Sequence, residues 1–101
     1  IMVNEKTRLM AEIVLLAMQV QEKTGHAVFV RFSGHVDSMN IEIAQSKENY
    51  SNKLAESNFY TKEDSVDRLK EVKKTLLRFL DEGFSTEGLD YWIEEVYHYT
   101  F

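Results

Sequence analysis

Apolar side chains alternate along two neighbouring runs of this chain, Val28, Val30 and Phe32 in the first and Met39, Ile41 and Ile43 in the second. The linker between them, "SGHVDS", contains Gly34 and Asp37, both turn formers. Period-two alternation on either side of a turn predicts an antiparallel hairpin with one apolar face. Such a face must be buried against another layer, so the rest of the chain has to supply the cover. On the opposite face, Arg31 and Glu42 are placed to pair across the strands.

Two segments offer helical cover. In the first, Leu9, Ile13, Leu16, Ala17 and Val20 fall on one stripe, with Asn4 or Thr7 as cap and Gly25 at the left-handed C-terminal position. In the second, Val66, Leu69, Val72, Leu76, Leu77 and Leu80 recur on one face. Thr61-x-x-Asp64 opens it as a capping box with Asp in the place of Glu, and Gly83 closes it. Phe84, just past Gly83, is placed to fold back onto the last turn in a Schellman-type contact.

Residues 53–61 alternate weakly and read as a third, edge-like strand. Ser85 or Thr86 then caps a third helix whose stripe is Leu89, Trp92, Ile93 and Val96. The expected order is α-β-β-(β)-α-α. The fold class is α+β, a two-layer single domain over residues 1–101, with a small antiparallel sheet of 2–3 strands and the helices on one face. A chain of 101 residues with 44% apolar content has room for one core and a shallow groove.

Composition narrows the function. No cysteine is present, which excludes disulfides and thiolate metal sites. No apolar run approaches the roughly 20 residues of a membrane span, and the first residues do not read as a signal peptide. A cytoplasmic protein without a membrane role is the expectation. Of the net charge of −5, four units come from Glu87, Asp90, Glu94 and Glu95, in a segment from Phe84 onward that contains no Lys or Arg. That segment repels nucleic acid and anionic surfaces.

Lys70, Lys73, Lys74 and Arg78 on the second helix form the one candidate nucleic-acid ridge. Between Lys62 and Glu82, however, acids and bases number six each, as on a solvated face laced by pairs such as Asp64–Arg68, Asp67–Lys70 and Glu71–Lys74. Nucleic-acid binding is the secondary reading.

Catalysis finds no motif. Phosphate-binding glycine loops, the nucleophile elbow and helical zinc motifs are all missing. His35 with Asp37 suggests a general base or a metal pair. Both lie in a turn that favours those residue types for backbone reasons, and His26 stands at the far end of the strand, roughly 30 Å from His35 at ~3.3 Å per residue. No metal and no cofactor are expected, and the chain reads as non-enzymatic. Around His98, the rings of Tyr91, Trp92, Tyr97, Tyr99 and Phe101, with acidic neighbours, offer a place to hold a cation or stack a base, but docking of the rings on the core is the favoured expectation.

The first helix carries more apolar surface than one core needs. Ala11, Val14 and Met18 form a second strip with Leu15 at its margin. A helix apolar on two sides is buried on two sides. Either the other helices cover the strip or a partner does, with a second copy forming a homodimer. The expected function is a protein-interaction module that binds itself or a basic or apolar protein partner, its working surfaces being the first helix and the aromatic, acidic C-terminus.

The "GHAVFVRFSGHVDSMNIEI" hairpin and its F-x-G-H-V turn resemble small proteins of phages and prophages of Gram-positive bacteria. That resemblance spans the first half of the chain and implies an accessory protein acting in the host cytoplasm by binding, with no catalytic residues to carry over. The order α-β-β-β-α is also similar to double-stranded-RNA-binding domains. The basic start of their last helix is missing here, since Lys62 is followed by Glu63 and Asp64.

Overall fold

A computed structural model describes residues 3–61 and 65–101. The order is α1 (Glu5–Thr24), β1 (Ala27–Ser33), β2 (Ser38–Ala44), β3 (Lys53–Tyr60), α2 (Val66–Glu82), β4 (Asp90–Glu94) and β5 (Val96–Thr100). The protein is α+β, with two helices and a five-stranded mixed sheet ordered β1-β2-β3-β5-β4 among the described residues.

The central hairpin forms in simple register, Val28 opposite Ile43, Val30 opposite Ile41 and Phe32 opposite Met39. Met39, Ile41 and Ile43 are buried by α1 and α2, which supply Leu9, Ile13, Leu16 and Val20 from one side and Leu69, Val72, Leu76 and Phe79 from the other. The weakly alternating segment is a full strand, with Ala55, Ser57 and Phe59 on the buried face. Across the open face, Arg31 donates to Asn40 Oδ1 at 3.0 Å and pairs with Glu42 at 3.1 Å, while Asn40 donates to Asn58. A polar ladder therefore occupies the uncovered side of β1–β3.

Helix α1 is capped by Asn4, whose side chain accepts from the Thr7 N–H, and ends at Gly25 with φ 78°. In α2 the buried stripe is Leu69, Val72, Leu76 and Phe79, at i, i+3, i+7 and i+10, whereas Leu77 is exposed. Phe79 replaces Leu77 because the spacing from Val72 and Leu76 leads to position 79, and 77 lies about 100° round the helix from 76. Asp64 of the expected capping box, and with it the Asp64–Arg68 pair, lies outside the described residues.

Gly83 ends α2 with φ 89° and ψ 167°, so the backbone turns outward without a left-handed Schellman cap. Phe84 nevertheless reaches back, its ring 5.0 Å from Phe79. That backbone region is essentially restricted to glycine. No atom lies within 4 Å of a Cβ built there, so an alanine meets strain without collision. Gly83→Ala is expected to lower stability by about 1–3 kcal/mol, read by urea denaturation.

The largest departure from expectation lies after Gly83. Leu89, Trp92, Ile93 and Val96 do not form a third helix. Residues 90–100 are an antiparallel hairpin, with Tyr91 opposite Tyr99, Trp92 opposite His98 and Ile93 opposite Tyr97, reversing at Glu95 (φ 66°). The segment "DYWIEEVYHYT" is dense in aromatic and β-branched residues, which fit a pleated surface better than a helix. The sheet accordingly has five strands, and β5 joins β3 in parallel.

Candidate functional site

Each surface singled out by sequence has a definite place in the fold. On α1 the strip opposite the buried stripe is open: Val14, Leu15 and Met18 are 38%, 57% and 59% exposed. Helix α2 packs beside α1 without covering them, and the third helix that might have helped is a β-hairpin. Ala11 and Val14 continue from the strip into a groove of about 370 Å³ between α1 and the end of β1, walled also by Met10, Phe32 and Met39. The apolar surface thus runs from the helix to the outer strand of the sheet.

The cations of α2 are largely engaged. Lys73 donates to Glu12 at 2.6 Å and Lys70 lies 3.4 Å from Glu5, both acids coming from α1. Lys73's hydrogen bond, with the charges of Lys73 and Arg8, holds the Glu12 carboxyl below the usual carboxylate range. Arg78 lies over the Phe79 ring at 5.3 Å and reaches the Glu87 carbonyl. The intrahelical pairs Asp67–Lys70 and Glu71–Lys74 are not among the ion pairs of the described residues; Lys70 pairs with Glu5 of α1 instead, and Glu71 with Arg68 of its own helix at 3.7 Å.

The histidines are scattered. His26 holds the Gln45 carbonyl at 2.8 Å through Nδ1 and meets Phe84 edge-on at 5.3 Å, tying the start of β1 to the end of β2 and to the exit of α2. His35 lies in the turn before Asp37, whose φ of 49° is the left-handed geometry of a turn residue. Among the described residues no group of three or more His, Asp or Glu side chains is arranged to hold a metal ion. Among the described residues no helix is long and apolar enough to cross a membrane.

The aromatic, acidic C-terminus that the sequence offers as a second working surface is a hairpin and not a helix. The aromatic C-terminal segment does not dock as a whole. Phe101 is buried against Phe79 and Tyr99 packs on the core, but Tyr91, Trp92, Ile93, Val96 and Tyr97 are all exposed. The reason is the attachment. The hairpin joins the sheet by one ladder step, Glu56 opposite Thr100, reinforced by the Phe101 N–H donating to the Glu56 carbonyl at 3.1 Å. Arg68 fixes the end by donating to the Phe101 carbonyl and to Ser57 Oγ.

From that base the two strands stand clear. Tyr91 stacks on Tyr97 at 5.2 Å and 3°, and Trp92 on His98 at 4.9 Å and 12°. Alternation divides the hairpin: Tyr91, Ile93, Tyr97 and Tyr99 face the helix side, while Asp90, Trp92 and Glu94 share the other side with His98. Strand β4 ends the sheet, and among the described residues no strand pairs with its outer edge.

No protein-family model, curated protein or solved structure matches the chain.

Proposed function

We propose that the protein is a non-catalytic interaction module that self-associates through the outer face of α1. The observation that carries this reading is the exposure of Val14, Leu15 and Met18 on a helix already buried on its opposite side. Contiguous exposed apolar surface of this kind marks interfaces. The groove walled by Met10, Val14 and Phe32 widens the patch toward the area of roughly 1,000 Å² that a specific interface needs. The likeness of the β1–β2 turn to phage and prophage proteins supports an accessory role in a host cytoplasm. Engagement of Lys70 and Lys73 by α1 acids weighs against phosphate tracking on α2.

Sedimentation at micromolar concentration tests the proposal. A dimer is expected, and Met18→Glu is expected to raise its dissociation constant at least about tenfold. Met18 is exposed, so the substitution should alter monomer stability by no more than about 0.5 kcal/mol. A protein that sediments as a monomer, indifferent to Met18→Glu, overturns the reading.

A further inference from the structure

We infer that the open edge of β4 is a docking site for an extended basic segment of a partner protein, added to the sheet as a further antiparallel strand. The inference deepens the interaction-module reading and uses a surface separate from α1.

An outer strand with an unpaired row of backbone groups is a template for strand addition. In most proteins charge, proline or a bulge blunts it. The five residues of β4 are all exposed, contain no proline, and pair in unbroken register with β5. Neither proline nor a bulge interrupts the edge, although the Glu94 carbonyl lies 3.1 Å from His98 Nε2; charge is what guards it, so Asp90 and Glu94 determine which strand it takes.

Those side chains disfavour pairing with the β4 strand of a second copy. An antiparallel pairing of two β4 strands centred on Trp92 sets Asp90 of each against Glu94 of the other, by the same residue count that sets the β4–β5 register. Parallel pairing in register aligns like with like. Directly opposed like charges destabilise a sheet, and Glu87 and Glu95 add to the repulsion. No Lys or Arg follows Arg78 in the sequence to offset them. The same charges attract a cationic strand.

Alternation makes the requirement more specific. Asp90, Trp92 and Glu94 share one face, Asp90 and Glu94 about 13 Å apart at ~3.3 Å per residue. A partner strand with Lys or Arg at alternate positions sets cations against both carboxylates and one over the Trp92 ring. Trp92 is 42% exposed and backed by His98, an arrangement suited to cation–π contact. The partner's intervening residues meet Tyr91 and Ile93 and should be apolar. The ligand is thus a segment alternating basic and aliphatic residues.

Trp92 is the sole tryptophan, so its fluorescence reports on this edge. The probe is a capped peptide alternating Lys and Val, titrated into the intact protein at low salt. Saturable change in Trp92 emission is expected, weakened several-fold by added salt. Asp90→Lys with Glu94→Lys should weaken binding about tenfold or more, and the same variant should gain affinity for a Glu–Val peptide. That gain, with unchanged far-UV circular dichroism, separates charge recognition from misfolding.

A silent Trp92 overturns the inference, as does an equal response to the Lys–Val and Glu–Val peptides or a response to oligothymidylate alone. Sedimentation of the same samples reads the α1 interface independently. A dimer with silent Trp92 removes only the β4 site, and a monomer with responsive Trp92 removes only the α1 dimer.

Discussion

Truncating Phe79 to alanine is expected to cost about 3–5 kcal/mol, a large share of the stability of a domain of this size. Its side chain is fully buried at the point where three parts of the fold meet. The ring lies 5.0 Å from Phe84 at the exit of α2 and 5.7 Å from Phe101 at the end of β5, and belongs to the cluster that includes Ile41 and Ile43. Its ring neighbours Phe84 and Phe101 are held by contacts of their own, so the void closes only in part. In urea the midpoint should fall by roughly 2–4 M at an unchanged slope. A loss below about 1 kcal/mol would mean that Phe79 is not where the two halves of the core join.

Phe101→Ala is expected to act differently although its cost, about 3 kcal/mol, is nearly as large. The Phe101 backbone holds β5 to Glu56 and accepts from Arg68, and its ring seats the hairpin against Phe79. Removing the ring leaves the helices and β1–β3 with most of their contacts. The hairpin, tied by one ladder step, should then loosen first. Trp92 fluorescence is expected to report a transition at lower urea than far-UV circular dichroism, where the unsubstituted protein gives coincident curves. Coincident curves in the variant would show that the hairpin is held by contacts other than this ring.

The parts of the fold that sequence disclosed are those where one periodicity dominates. Helix α1 was legible from Leu9 to Val20, with Asn4 and Gly25 at its ends, and the β1–β2 hairpin from its alternation and turn residues. Strand β3 was faint because Ala55 and Ser57, two of its inward residues, carry little hydrophobic signal. The last segment misled for a specific reason. Leu89, Trp92, Ile93 and Val96 fall at i, i+3, i+4 and i+7, while Tyr91, Ile93, Tyr97 and Tyr99 fit alternation equally well. Both templates match, and the aromatic and β-branched content decides for strands.

The candidate surfaces divide in the same way. Ala11, Val14, Leu15 and Met18 can be placed on one side of a helix by spacing alone, and they lie there. Which neighbour covers them depends on packing, and α2 leaves them open. The pairing of Lys70 and Lys73 with Glu5 and Glu12 joins residues more than sixty positions apart and leaves no local trace. The free edge of β4 is equally invisible along the chain, because it exists only once β5 has found β3.

That meeting of Glu56 with Thr100 also orders events in time. The two residues are separated by all of α2, so closing the loop between them is entropically costly until the helix has packed. Nearby partners, by contrast, assemble β1, β2 and β3 through short connections. A newly made chain should therefore seat the aromatic ribbon only after α2 has packed, on a core already formed.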